Sequence, residues 1–281
     1  MVLSASSNCG GIWLAMRGMA RALRGVKRFA RWILLCVARN WLRMALTILA
    51  LYISLPWLAP TLAQLGMHSA ADAIYTIYSP FCHQFAFRSV FVFGQQAFYP
   101  RATAGTGLAS FEEFAAESAA FQEQYRYWAS RFGAQDQLAS ATDLARFSAI
   151  QQLAARHFIG DASFGYKTSL CARDLAIYTL LFIGGLVYRR YRWRIRPLPL
   201  WLFVLAGLLP IALDGGSQLL SYPPFELWRP RESAPFLRIV TGGFFGLMCA
   251  WLGFPHLERS MHDIARQLEA NPPDLPCHQD D

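Results

Sequence analysis

The sequence predicts an all-α, polytopic membrane protein with about four transmembrane helices and an inserted extracytoplasmic helical pair. Three observations carry this. Apolar residues make up 54% of the 281 and charged residues only 16%, a balance richer in apolar groups than an ordinary soluble domain. Four stretches are apolar and approach the roughly 17 to 25 residues needed to cross a hydrocarbon core. The arginines gather at two places that bracket those stretches instead of forming one exposed patch.

Residues 1–43 form a basic segment in which Arg17, Arg21, Arg24, Lys27, Arg28, Arg31, Arg39 and Arg43 all precede the first span. Between Met16 and Val37 these charges are interleaved with Leu23, Val26, Phe29, Trp32 and Ile33. That pattern suits either a helix lying on an anionic leaflet or a disordered basic extension. Met44 to Leu65 is the first and cleanest span. Thr61, Leu62 and Ala63 have the small-residue look of a signal cleavage site, but the long Arg-rich lead argues for an uncleaved span.

Leu170 to Tyr188, Leu198 to Leu213 and Phe236 to Phe254 are the next three spans and complete a membrane domain over 44–256. Arg189, Arg190, Arg192, Arg194 and Arg196 crowd the link between the second and third. By the positive-inside rule both basic regions are cytoplasmic, so the chain runs N-in and C-in across a cell inner membrane, with a cytoplasmic tail over 257–281. Gly66 to Ser169 and Asp214 to Pro235 are then outside. The net charge of +8 is thereby a topology signal, which makes the lipid bilayer the expected partner and nucleic acid not one.

The outer segment carries a helical insertion over 104–160. Ser110 with Glu113 is a capping-box pattern, and Phe111, Phe114, Ser118, Phe121, Tyr125, Trp128 and Phe132 then recur at helical spacing. After Gly133 a second stripe runs through Leu144, Phe147, Ile150 and Leu153. Aromatic stripes of this kind are usually packing faces, so the pair is expected to be structural.

The chemistry lies at the outer ends of the spans. "PFCHQFAFRS" supplies Cys82, His83, Gln84 and Arg88, and Pro80 argues against a helix running through it. Cys171, Arg173 and Asp174 open the second span, with Tyr178 one turn below Asp174. Asp214 and Gln218 end the third, while Arg231, Glu232, Arg238 and Thr241 precede or open the fourth. Charges are costly in lipid, so Asp174, Asp214 and Glu232 should face Arg88, Arg173, Arg231 and Arg238, with Asp214 and Gln218 turned toward Arg238. Such a cluster is either interhelical glue or a ligand pocket.

Cys82 is expected close to Cys171. The two thiols suit a disulfide, or a metal ion shared with His83 and Asp174, or separate packing, and the residues leave these three open.

"YSPFCHQFAFRS", "GYKTSLCARDLAIY", "PLPLWLFVLAGLLPIALDGGSQLL" and "RESAPFLRIVTGGFFG" together resemble a family of prokaryotic predicted membrane proteins, domain of unknown function 2085. The resemblance implies a multi-span membrane protein and no activity. Many relatives carry a second cysteine where this chain has Asp174. Two functions follow from the residues: binding or transport of a small polar or ionic solute, or a membrane redox, thiol or metal-dependent enzyme using Cys82, His83 and Cys171. No Ser/His/Asp order, H-E-x-x-H or C-x-x-C-H motif occurs, which favours the first.

Overall fold

The computed structural model describes residues 9–134 and 138–270. Residues 1–8 and 271–281, which fall in the expected basic segment and cytoplasmic tail, lie outside the described residues. The chain is mostly helical. It divides into two units, one made of residues up to Ala45 together with those from Pro255 onward, the other of Leu46–Phe254.

The first unit holds the front of α1 (Cys9–Gln64) and the rear of α10 (Pro235–Ala270). Trp41 and Leu42 are buried there, and Trp41 Nε1 donates to Glu258 at 3.2 Å. Arg39 and Glu269 make an exposed ion pair at 2.7 Å. Val26, Phe29 and Trp32 remain exposed, as an interfacial face would leave them.

Among the described residues, three helices are long and apolar enough to cross a membrane: Gly25–Gln64, Leu200–Leu220 and Pro235–Ala270. Their outward side chains, among them Ile48, Leu51, Leu205, Leu219 and Phe244, are exposed. Water would penalise such faces and hydrocarbon does not, so they fit a membrane protein. The stretch Leu200–Leu220 runs from α8 (Leu200–Leu202) through a π-wound segment, Phe203–Leu208, into α9 (Leu209–Leu220). The remaining expected span is α7 (Ala172–Tyr191), which is set apart from these three by Arg173 and Asp174 at its start and Arg189 and Arg190 at its end.

Two expectations need correction. The chain is not purely α: β1 (Ser89–Val92), β2 (Gly160–Asp161) and β3 (Gly165–Cys171) form an antiparallel sheet in the order β1-β3-β2. "SVFV" and "GYKTSLC" are rich in β-branched and aromatic residues, and pairing satisfies their backbone groups between the irregular segment and α7. Gly165 makes this pairing sterically feasible. Its φ is +73°, and a Cβ there would fall 2.3 Å from Gly94 N and from Val92 O.

The second correction concerns the insertion, whose described residues form four short helices in place of a pair: α3 (Phe111–Glu117), α4 (Ala119–Arg131), α5 (Ala141–Leu144) and α6 (Ala149–His157). Ser110 and Glu113 do close the capping box. Ser118 interrupts the first stripe, because its side chain accepts from Phe121 N and starts a new helix while its hydroxyl donates to Asp161. Phe111, Phe121, Leu144, Phe158 and Phe164 are buried together with Phe85, Phe87 and Phe91. The aromatic stripes therefore build a core of their own. Arg101 fastens it, donating to Glu112 at 3.1 Å, to Ala145 O at 2.7 Å and to the Tyr222 hydroxyl at 3.1 Å.

Candidate functional site

α2 (His68–Tyr78) ends just before Pro80, and the next seven residues are irregular until a short 3-10 turn at Ala86–Arg88. Gln84 sits in this stretch with φ of 55°, an unusual value for a side-chain-bearing residue. Its surroundings over-determine it. Gln84 Nε2 donates to Tyr75 O at 2.8 Å and Ser169 O at 3.0 Å, while its carbonyl accepts from Lys167 Nζ at 2.6 Å.

Held this way, the segment delivers buried Cys82 to the junction of β3 and α7. Cys171 N donates to Cys82 Sγ at 3.3 Å, and Cys171 in turn caps α7, its sulfur accepting from Asp174 N at 3.5 Å. The two sulfurs and an Asp174 carboxylate oxygen all lie within 4.8 Å of one another. Both cysteines are free thiols in this structure. A hydrogen bond to Cys171, followed by burial, pushes the Cys82 thiol pKa up. His83 stands apart from the three ligand atoms, exposed and tilted against Phe85 with ring centroids 5.4 Å apart.

Beside the thiols, the carboxylates and guanidiniums sort into two groups. Asp214 is buried and accepts from Ser233 Oγ at 2.7 Å, from Arg231 at 3.1 Å and from Arg173. Glu232 is buried too, accepting both Nε and a terminal nitrogen of Arg88 at 2.9 and 3.1 Å, the Tyr222 hydroxyl at 3.1 Å, and Arg238. Arg238 also donates to Gln218 Oε1 at 3.0 Å. Gln218 thus faces Arg238 as expected, whereas Asp214 is taken by Arg173 and Arg231. Gly242 permits this, since a Cβ there would meet Arg173 O at 2.6 Å and push the start of α7 off α10. Burial alone would raise the Glu232 pKa, but Arg88 and then Arg238 outweigh it and hold it below the usual carboxylate value.

These elements surround a cavity of about 740 Å³. Cys82, His83, Gln84, Arg88, Cys171, Arg173, Asp174, Gln218 and Arg238 line it. Asp214 and Glu232 stand behind that wall and compensate its arginines, and Asp214 pairs with Arg231 as well. Tyr178 instead meets Tyr52 edge-on at 4.7 Å, and Thr241 donates back to Leu237 O in its own helix. Gln218 lines this cavity, and among the described residues its Nε2 is buried with no hydrogen-bond partner.

Sequence reasoning missed Tyr222, which lines the cavity and bridges Arg101 to Glu232, because an isolated tyrosine in a loop gives no periodic signal. It also missed Lys167. This lysine is 1% exposed in mid-sheet, donates from Nζ to the carbonyls of Gln84, Ala155 and Arg156, and lines a smaller neighbouring cavity of about 270 Å³. Burial, aided by the Arg156 charge, draws its pKa down to about 7.

Residues 152–252 match the family model described as Predicted membrane protein (DUF2085). An uncharacterized protein, MJ1492, of Methanocaldococcus jannaschii is 30% identical over 96 residues, which cover 33% of this chain and 54% of that relative. The chain therefore spans about half the length of the curated relative it matches. No solved structure matches the chain. The stretch that supplies Cys171, Arg173, Asp174, Asp214, Glu232 and Arg238 is thus similar to the domain of unknown function 2085 family of predicted membrane proteins, as the sequence motifs lead one to expect.

Proposed function

We propose that this protein is an integral protein of the inner membrane whose outward-facing polar pocket binds or transports a small polar or ionic solute. In this reading α1, α7, the stretch from α8 through α9, and α10 make four crossings. The basic segment over 1–43, the arginine-rich link at 189–196 and the tail over 257–281 are cytoplasmic, and the insertion over 104–160 is extracytoplasmic. The arginine distribution supports the orientation. The charges that set α7 apart lie at its two ends, and Arg173 is compensated by Asp214, which supports a crossing by its uncharged middle. A fusion of alkaline phosphatase at Gly133 should be active and one at Arg192 inactive; the reverse pattern would sink this topology.

The observation that carries the solute reading is Gln218. It lines a cavity large enough for a small molecule, its oxygen is held by Arg238, and its buried Nε2 has no hydrogen-bond partner among the described residues. Three arginines on the same wall add donors suited to carboxylate or phosphate oxygens. Thermal unfolding of the purified chain in detergent, across acetate, succinate, phosphate and sulfate at constant ionic strength, tests it. At least one of these anions should raise the melting temperature of the wild type and lose most of that effect in Gln218→Leu. Equal responses of wild type and variant to every anion would reject the pocket as a solute site.

A second reading is favoured by the contact of Cys82 with Cys171 beside Asp174. It is a membrane redox, thiol or metal-dependent enzyme in which Cys82, His83 and Cys171 act as nucleophile, ligand or electron carrier.

A further inference from the structure

We propose that Cys82, Cys171 and Asp174 form a three-ligand binding site for Zn²⁺, with its fourth coordination position open to the cavity. The proposal rests on the reading of that cavity as a solute site and specifies one thing it holds.

The ligand types come first. Two thiols and a carboxylate are a donor set that zinc accepts, while Mg²⁺ and Ca²⁺ select oxygen alone. Separation comes next. Two sulfurs at about 2.3 Å from a tetrahedral zinc stand about 3.8 Å apart. The ligand atoms here are already within 4.8 Å of one another, close to the spacing an ion would set.

The surroundings of the sulfurs point the same way. Each receives a backbone N–H, Cys82 from Cys171 and Cys171 from Asp174, and amides aimed at sulfur support a metal-bound thiolate. The sulfurs also sit at the start of a 20-residue helix, whose positive end favours anionic ligands. Two thiolates and a carboxylate around Zn²⁺ sum to one negative charge. Arg88, Arg173 and Arg238, which line the same cavity, are placed to balance it. On binding, the two thiol protons leave to solvent and no electron is transferred. A site with three protein ligands and one open position is the arrangement of zinc that exchanges a bound molecule, not of zinc that merely staples a fold.

Cobalt titration of the reduced, detergent-solubilised full chain tests the site. About one Co²⁺ per chain should bind with a near-ultraviolet thiolate charge-transfer band, and an equivalent of Zn²⁺ should bleach it. Cys171→Ser and Cys82→Ser should each remove the band, and Asp174→Asn should weaken binding at least about tenfold. A measurement without variants guards against misfolding: Zn²⁺ should protect Cys82 and Cys171 from alkylation in the wild type and leave Cys249 unprotected.

No band in the reduced wild type, a band that survives Cys171→Ser, or equal alkylation with and without Zn²⁺ would each overturn the proposal. So would isolation of the wild type from zinc-replete medium with Cys82 and Cys171 joined as a disulfide. Anion stabilisation that depends on Gln218, with no cobalt band, would reject the metal site and leave the solute pocket standing; absence of both would reject the two together.

Discussion

Arg88 and Glu232 meet through two parallel hydrogen bonds of 2.9 and 3.1 Å, although 144 residues separate them in the sequence. The carboxylate is 1% exposed and takes Arg238 and the Tyr222 hydroxyl as well. A buried charge held by so many donors is satisfied only while all of them are in place.

Replacing Glu232 by Gln should therefore lower stability by about 3 to 5 kcal/mol, since it leaves two guanidiniums short of their counter-charge. Arg88→Gln should cost a comparable amount. Combined, the two should cost less than their sum by about 1 to 3 kcal/mol, because the second change removes a charge that the first left unpaired. Denaturant unfolding in detergent measures all three, and strictly additive losses would show that the pair does not interact.

Glu232 also sets an acid limit. Its folded pKa lies below the ordinary value of 4.5, so the stability it contributes is complete above about pH 4.5 and fades as pH falls through the lower folded value. Melting temperature should decline in that acid window for the wild type and decline less for Glu232→Gln. Parallel acid limbs in the two proteins would count against it.

Lys167 acts at the other end of the pH scale. Its folded pKa of about 7 is below the ordinary 10.5, so between those values the unfolded chain keeps a proton that the folded chain has released. Stability should rise with pH across that window, with a slope of up to about 1.4 kcal/mol per pH unit, and be flat with respect to this group below pH 7. Lys167→Met should remove the slope. It should also lose about 2 kcal/mol or more at neutral pH, because three buried carbonyls forfeit their donor. A Lys167→Met variant with wild-type stability and an unchanged alkaline profile would be the contrary result.

Gly165→Ala should loosen the sheet and with it the delivery of Cys82. The new methyl would need the space of Gly94 N and Val92 O at a backbone φ of +73°. A loss of about 2 kcal/mol or more is expected. Limited trypsin digestion should show faster cleavage between β1 and β3, and an unchanged cleavage rate would contradict the steric account.

What could be read from the chain followed the range of each signal. Ser110 and Glu113 are three residues apart, and their capping box is visible in the sequence as in the structure. The approach of Cys82 to Cys171 was legible because both lie in polar runs flanking a single insertion. The partner of Asp214 was not. Helical spacing places Asp214 and Gln218 on one face, but only the close approach of α7 at Gly242 brings Arg173 to the acid before Arg238. The sheet escaped notice because Leu170 and Cys171 read equally well as the start of an apolar helix, and "SVFV" is too short to show an alternation. Lys167 was invisible for a related reason: nothing local marks a lysine whose three acceptors come from two distant segments.

The Tyr222 hydroxyl accepts from Arg101 and donates to Glu232, and its ring stacks on Phe147 at 4.0 Å. Arg101 is at the same time the fastening of the aromatic insertion. One phenol is thus the shared hinge pin of two structures that look separable on a diagram of the chain. Trimming the insertion back to a short loop would take Arg101's anchorage and the Phe147 ring with it, leaving the pocket wall with a tyrosine whose oxygen has lost its cation. A shortened protein of this kind should bring compensating changes at position 222 or 232, and engineering that treats residues 104–160 as a detachable ornament should disturb the charge balance of the cavity before it disturbs anything else.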